Sequence, residues 1–585
     1  MCGIAGELRW DGSPPSRTSV ADMLVSLRAR GPDGEGLVSG ETWVFGHRRL
    51  AVIDPTERSA QPMTDAMSGL TLVYNGALYE YRAVRAQLEA LGYRFVSDGD
   101  TEVVLKAYHA WGTDCVRHLR GMFAFAITDQ AGRTFLARDR MGIKPLYWSA
   151  TSGRFRFAST LPALLAAGDV DSTLDPVALQ QFCTLHGIVI APRTIVAAIR
   201  KLPPATWMLV EADGTRKEET YWQFERAPDR TLGPRQWALA LRDALMASVR
   251  RRRVADTDVG VLLSGGLDSS LITAMLHADG ATASKTFSVG FESVRGEAGD
   301  EFAWSDVVAQ RFGTEHTQLR VSQAETLGAL PEAIAAMSEP MVSHDAVGFF
   351  LLGRAVRQHV KVVQSGQGAD ELLGGYHWHA RLLHASGGAS AYASAFFDRD
   401  YAAYQSMVEP AWSRRDTLRP WLDQQFAQCS ANTTIDATLQ IDGSVMLTGD
   451  PVPRLDTMMM ASGVEARTPF LDEDVVAVAS RIPAELSVST GKAVLKAVAR
   501  EFLPQPWVDR PKGYFPVPAL RWIEGAFLEQ MRGWLTSQRA RSRGLFRRTT
   551  VDGLLAAPST TLTPLGGSTL WQLAVLEAWL QQNNL

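Results

Sequence analysis

Apolar runs of strand length alternate with helix-period stretches along the first third of the chain. Residues 43–45, 70–74, 122–127, 134–137 and 155–158 read as strands, and 81–91 and 101–111 carry apolar positions at helical spacing. This is the pattern of a layered α/β domain. Residues 175–187 read as a helix and 208–215 as a hairpin turning on Asp213-Gly214. Residues 224–236 are charged and contain prolines, so the hinge is placed there. In the second half the order is strand (259–263), helix opening at Ser269-Ser270, strand (285–291), helix (300–312), strand (316–321), helix (349–358) and strand (360–364). That alternation predicts a parallel, doubly wound sheet, in which ligands sit beyond the carboxyl ends of the strands. Residues 264–270 and 365–371 both follow strands and are therefore expected to face one pocket. Residues 380–448 are helical without a further signal, and His377 and His379 around Trp378 read as a surface loop rather than a metal site.

The bulk composition narrows the partners. In 585 residues, 46% are hydrophobic and 21% charged, an ordinary globular balance that allows several domains. A net charge of -4 argues against a protein that lives on nucleic acid. Arg250–Arg253 is better explained as the basic end of a solvated helix. No apolar run is long enough to span a bilayer, and the start lacks the basic-then-apolar pattern of a signal peptide. Cys2, Cys115, Cys183 and Cys429 are scattered, which suggests neither a zinc site nor a disulfide framework and fits a reducing cytoplasm.

Two stretches carry chemistry. Val261-Leu262-Leu263-Ser264-Gly265-Gly266-Leu267-Asp268-Ser269-Ser270 is a strand, a glycine-rich turn and a helix start. Such a turn can aim backbone N–H groups at an anion, with the helix N-terminus adding partial positive charge. It is not a Walker A loop, because no Gly-Lys-Ser/Thr follows. At the other end of the chain, removal of Met1 would leave Cys2 with an α-amino group of pKa near ~8 beside its thiol, an internal base for a nucleophile.

Those stretches, with their neighbourhoods, resemble known families. The turn resembles the pyrophosphate loop, Ser-Gly-Gly-x-Asp-Ser, of enzymes that split ATP into AMP and pyrophosphate. Cys2-Gly3-Ile4-Ala5-Gly6, Arg30-Gly31-Pro32-Asp33-Gly34, Gly46-His47-Arg48-Arg49-Leu50, Tyr74-Asn75-Gly76 and Ser97-Asp98-Gly99-Asp100-Thr101-Glu102 resemble the glutaminase domain of class II amidotransferases, up to about Ser159. The resemblance implies an Ntn-type αββα domain. In it Cys2 attacks glutamine, and the Asn75 side chain and Gly76 N–H stabilise the oxyanion. Arg49 grips the α-carboxylate and Asp100 the ammonium. Read by themselves, Asn75-Gly76 is also a common hairpin turn and Arg49 a solvated strand residue. One position departs: the family commonly has Asn-Gly-Glu where this chain has Ala77.

Ser365-Gly366-Gln367-Gly368-Ala369-Asp370-Glu371, Gly463-Val464-Glu465-Ala466-Arg467-Thr468-Pro469-Phe470-Leu471-Asp472 and Arg510-Pro511-Lys512-Gly513-Tyr514 resemble asparagine synthetases. The implied architecture is a glutaminase domain (1–205), a connector (206–235) and a doubly wound ATP-pyrophosphatase domain (236–585). The implied ATP and pyrophosphate contacts are Leu262, Ser264, Gly265, Gly266, Asp268 and Ser269 from the first loop, with Val289, Gly366, Gln367 and Lys496. Asp268 and Asp370 would hold magnesium, and Lys496 would also meet the adenylated intermediate. The implied reaction converts a carboxylic acid to its amide through an acyl-adenylate, consuming glutamine and ATP. The resemblance leaves room for a homodimer and involves neither nucleic acid nor membrane.

The acceptor acid is the open point. Asparagine synthetases usually carry an acidic residue where this chain has Gln367, and an amide cannot accept a proton as a carboxylate does. The block Met337-Ser338-Glu339-Pro340-Met341-Val342-Ser343-His344-Asp345-Ala346-Val347 resembles the subgroup that amidates N-acetylglutaminylglutamine. Aspartate and a specialised-metabolite acid are the alternatives, with His344 and Asp345 as candidate acceptor contacts. A tRNA-modifying enzyme would show thiol chemistry beside the loop or a basic surface. A ligase that had abandoned glutamine, or a non-catalytic scaffold, would not keep Cys2, Arg49, Asn75 and Asp100.

Overall fold

A computed structural model describes residues 2–281, 284–430, 433–510, 513 and 517–585. The motif residues Pro511, Lys512 and Tyr514 lie outside the described residues, as does Met1. The amino-terminal unit stacks two six-stranded antiparallel sheets. The first sheet runs Arg200–Lys201, Tyr147–Ala150, Arg154–Ala158, Gly3–Arg9, Trp43–Arg49, Gly34–Ser39. The second runs Arg216–Thr220, Thr206–Val210, Thr134–Arg138, Gly121–Thr128, Thr71–Leu78, Met63–Thr64. Both faces of the central strands are buried, so the period-2 alternation separates two apolar sets rather than apolar from polar. Ile4, Phe45, Val73, Ala124, Ala126 and Leu136 point between the sheets. Leu72, Tyr74, Phe123, Phe125 and Ile127 point outward beneath helices Tyr81–Ala90 and Asp100–Trp111. Helices Arg17–Ser26 and Leu161–Ala166 cover the other outer face, with Val20, Leu24 and Leu164 against Ala5 and Val44.

The hairpin expected in the connector instead extends the second sheet. Thr206–Val210 pairs with Thr134–Arg138 on one side and Arg216–Thr220 on the other. Its inward residues Met208 and Val210 join the inter-sheet core, which an isolated linker hairpin could not supply.

The carboxyl-terminal unit is built on a five-stranded parallel sheet in the order Glu315–Val321, Lys285–Phe291, Val259–Leu262, Val362–Gln364, Glu465–Arg467. The chain enters at the central strand and winds to one edge through helices Leu267–Ala278 and Phe302–Phe312. It then crosses back to pair Val362–Gln364 on the other side of the first strand. This reversal is a topological switch point, where adjacent strand ends splay their loops and open a crevice. Residues 380–448, unread from pattern, are mostly helical and pack Tyr392, Phe396, Leu422 and Leu439 into a satellite core. His379 corrects the surface-loop expectation. It sits in helix His377–Leu382 with no exposed surface, its Nε2 2.7 Å from Asp442 Oδ2. Among the described residues no helix is long and apolar enough to cross a membrane.

Buried charge joins the two units. Helix Pro451–Met460 places Asp456 where Arg30 Nη2 and Lys144 Nζ, both from the amino-terminal unit, donate to its two oxygens at 2.9 and 2.8 Å. Lys361 closes on Asp33 at 2.7 Å and Lys201 on Glu339 at 2.8 Å across the same boundary.

Candidate active sites

The first centre lies at the amino-terminal end of strand Gly3–Arg9. Cys2 is buried, and its backbone N donates to Asn75 Oδ1 at 3.0 Å. Burial pushes the thiol above its ordinary pKa; the amino-terminal charge, the Leu50 N–H and the Arg49 guanidinium oppose that rise. Asn75 Nδ2 is buried with no hydrogen-bond partner among the described residues, an unspent donor of the kind an oxyanion requires. At Gly76 a Cβ would stand 2.4 Å from the Met122 carbonyl and 2.7 Å from the Tyr74 ring, so only glycine lets its backbone come this close.

Arg49 and Asp100 line the same narrow pocket as Cys2 and Gly76. Two donors of Arg49 hold the loop that follows it, Nη1 to the Thr56 carbonyl at 2.9 Å and Nη2 to the Asp54 carbonyl at 2.5 Å. Asp100 Oδ2 accepts from Tyr74 Oη and from the Leu78 N–H, each at 2.9 Å. Burial outweighs these bonds and raises the carboxyl to about 6. Ala77 lies in the wall of this pocket with no carboxylate to offer. The sequence reading missed a second acid in that wall. Glu465 comes from the other unit, on the edge strand of the parallel sheet. Burial works against its ionisation, yet the charges of Arg467, the amino terminus and Lys144 hold it at about 2.

The second centre is a cavity of about 910 Å³ at the switch point. Register pairs Val261 with Gln364, which sets loops 264–269 and 365–370 side by side. Of the residues implied by sequence, Leu262, Ser264, Gly266, Asp268, Ser269, Val289, Gly366, Gln367, Asp370 and Lys496 all line the cavity. Gly265 lies behind the wall at φ +77°, and a Cβ there would stand 2.6 Å from Ser305 N. Its role is to turn the chain, which glycine does in the left-handed region without strain. Ser264 Oγ accepts from Gly266 N at 3.2 Å and lies 3.1 Å from Ser269 Oγ, so the loop is closed by its own hydroxyls ahead of helix Leu267–Ala278.

Lys496 lies on helix Ala493–Ala499 and donates to the Thr490 carbonyl at 2.7 Å. Lys492, which the sequence reading passed over, reaches further in. Its Nζ meets Asp268 Oδ2 at 2.6 Å, Asp268 Oδ1 at 2.8 Å and Asp370 Oδ1 at 2.9 Å. Only its place in the fold reveals this, because a lysine beside glycine in sequence carries no such signal.

The far end of the cavity gathers His344, Asp345, Asp450, Arg454 and Arg521. Arg454 Nε lies 3.1 Å from Asp345 Oδ1, and its Nη1 also donates to Asp450. Burial raises the Asp345 carboxyl despite Arg454. Among the described residues, His344 Nε2 is buried without a partner. Burial, helped by the charges of His186 and Arg521, drives its pKa down to about 3, so the ring is neutral.

Known proteins are similar to this chain in sequence. The Asparagine synthase family profile matches residues 240–581, and the Glutamine amidotransferase domain profile matches residues 1–222. Glutamine-hydrolyzing asparagine synthetase 1 of Bacillus subtilis is 30% identical over 91% of this chain and 89% of its own. A putative glutamine-hydrolyzing asparagine synthetase of Mycobacterium tuberculosis is 31% identical over 90% of this chain and 89% of its own. Amidase chyE of Penicillium rubens is 30% identical over 64% of this chain and 59% of its own. With its synthase profile on the parallel-sheet unit and its amidotransferase profile on the stacked sheets, the chain belongs to the asparagine synthase family.

Proposed function

We propose that this protein is a glutamine-dependent, ATP-consuming ligase that converts a carboxylic acid to its amide. The observation that carries the reading is the pairing of one buried nucleophile pocket, at Cys2, with one phosphate-type cavity at the switch point of the parallel sheet. Cys2 Sγ attacks the glutamine side-chain amide. Negative charge develops on the amide oxygen, where Asn75 Nδ2 and the Gly76 N–H meet it. Ammonia leaves, and water hydrolyses the thioester to glutamate. In the other unit the acceptor carboxylate attacks the α-phosphorus of ATP, forming an acyl-adenylate and releasing pyrophosphate. Ammonia then attacks the acyl carbon, giving the amide and AMP. The two centres are kept in one body by Arg30, Lys144 and Asp456, which suits a reaction whose ammonia must not meet bulk water.

The donor set fits magnesium. Asp268 and Asp370 offer hard carboxylate oxygens from two loops and already converge on a single cationic atom, Lys492 Nζ. A magnesium ion bound by one or two carboxylates completes its shell with substrate phosphates. When bound there it would neutralise charge on the departing pyrophosphate.

For the acceptor we favour N-acetylglutaminylglutamine. Gln367 puts an amide at the cavity wall, His344 is neutral, and the cavity runs past the loops to His186, Leu565 and Gly567, which leaves room beyond a nucleotide. A second reading, aspartate, is favoured by the names of the Bacillus and Mycobacterium relatives. The same reading places the enzyme in the cytoplasm and allows a homodimer. The test is AMP formation with ATP, magnesium and glutamine, comparing the two acids. Turnover with the dipeptide alone supports the first acceptor, and turnover with aspartate replaces it by the second. Absence of AMP with both acids and with a panel of other carboxylic acids would sink the ligase reading.

A further inference from the structure

Lys492 is placed with more care than a surface lysine needs. Its side chain is 8% exposed, and its Nζ lies within 2.9 Å of three carboxylate oxygens on two loops. Its backbone is at φ +53°, next to Gly491 at φ +65°. A non-glycine residue keeps that left-handed conformation where its surroundings demand it. Here the bend turns the side chain from the start of helix Ala493–Ala499 back over both loops. The floor beneath is shaped to match. A Cβ on Gly375 would stand 1.8 Å from Asp370 Oδ1 and 2.9 Å from Lys492 Cε, so this glycine makes room for the pair.

The ammonium offsets part of the negative charge of the two carboxylates, so they attract a dication less strongly than the bare pair would. Magnesium needs the same oxygens and must displace the lysine or share them with it. Phosphate oxygens offer the ammonium an equivalent partner, as lysines near bound phosphates do. Resting on the assignment of Asp268 and Asp370 as metal ligands, we infer that Lys492 and magnesium compete for the same carboxylate oxygens, so that this protein binds the metal tightly only when nucleotide phosphates draw the lysine away. Lys492 thereby acts as a positioning residue that makes metal entry conditional on nucleotide.

The test is a manganese titration of the full-length protein, followed by electron paramagnetic resonance, with and without α,β-methylene-ATP and with the metal held by the analogue itself subtracted. K492Q removes the charge and keeps most of the stem. Without nucleotide it should bind manganese about tenfold or more tighter than wild type, within the usual span of a coupling free energy. The gain produced by the analogue should shrink in K492Q. Manganese alone should also raise its melting temperature more than that of wild type. Equal affinities in the two proteins without nucleotide would overturn the inference. Should K492Q not fold, wild type alone decides: manganese affinity that is the same with and without the analogue overturns it too. A D268N variant separates the two levels. Equal binding by wild type and K492Q that D268N abolishes leaves the metal assignment standing and removes the competition. Binding that D268N does not touch removes both.

Discussion

Asp456 accepts from Arg30 at 2.9 Å and from Lys144 at 2.8 Å, and all three side chains are buried at the boundary between the two catalytic units. Arg30 Nε also donates to the Cys2 carbonyl at 3.3 Å. Two residues before Asp456 on the same helix, Arg454 lines the far end of the cavity. One helix therefore touches the surroundings of both centres.

Removing this carboxylate leaves two buried cations without their partner, a loss of about 3–5 kcal/mol when a buried pair is broken from one side. D456A should show that loss in urea unfolding, and D456N, which keeps a hydrogen-bond acceptor, a smaller one. A loss below about 1 kcal/mol in D456A would mean that other groups compensate Arg30 and Lys144, at the level of an exposed pair.

Asp100 should set a pH limit on glutamine use. Burial raises its carboxyl to about 6, and the proposed partner, the glutamine ammonium, needs the ionised form. kcat/KM for glutamine should therefore fall about tenfold per pH unit below that value, as expected for an essential base in the free enzyme. With ammonia as nitrogen source this inflection should be absent. The stability contribution has the opposite sense. The folded pKa lies above the unfolded value of 3.8, so the folded state binds the extra proton and stability drops as pH rises from about 4 to about 6, then levels. D100N should abolish both inflections. Persistence of the glutamine inflection in D100N would assign it to another group.

Cys2 and Asn75 should fail separately from the ATP centre. C2A should lose glutamine-dependent amide formation and keep the ammonia-dependent reaction. N75A should lower glutamine turnover by about 10²–10³, the usual effect of removing one oxyanion donor. Equal loss of both nitrogen sources in C2A, measured as AMP release, would contradict the division of labour.

The layered first unit and the parallel second one were legible because strand and helix periods are long and clean there, and because glycine-rich loops announce strand ends. The pairing of residues 264–269 with 365–370 followed from topology alone. The hairpin at Thr206–Val210 was misplaced because a hairpin pattern does not say which sheet edge will accept it. Lys492, Arg454 and Glu465 were invisible for a different reason. The meetings of Lys492 with Asp268 and Asp370, of Arg454 with Asp345, and of Glu465 with the Cys2 pocket each join residues more than 90 positions apart, and no local period encodes such a meeting. His379 read as solvated for the same reason, since Asp442 lies 63 positions on.

Gln367 should decide how the cavity treats its acceptor. It stands at the N-terminal side of helix Ala369–Leu373, in the cavity wall, with its backbone N donating to Ser365 Oγ at 3.4 Å. Its amide can donate and accept hydrogen bonds but cannot take a proton or balance a cation. A carboxylate at this position would add a base and a negative charge beside the reacting centre. An acceptor that carries its own ammonium group would gain from that charge, whereas an N-acylated acid would be met by an unpaired, partly buried anion. Q367E should therefore raise AMP formation with aspartate by about tenfold or more relative to N-acetylglutaminylglutamine, a modest share of what a positioned acid–base group can supply. The ratio is the informative quantity, because it cancels any general loss of ATP binding caused by placing an anion near phosphates. Competition between the two acids in one reaction, followed by mass spectrometry of the amides, measures it directly. A ratio unchanged from wild type would show that Gln367 faces the nucleotide and leaves acceptor choice to His344, Asp345 and Arg454.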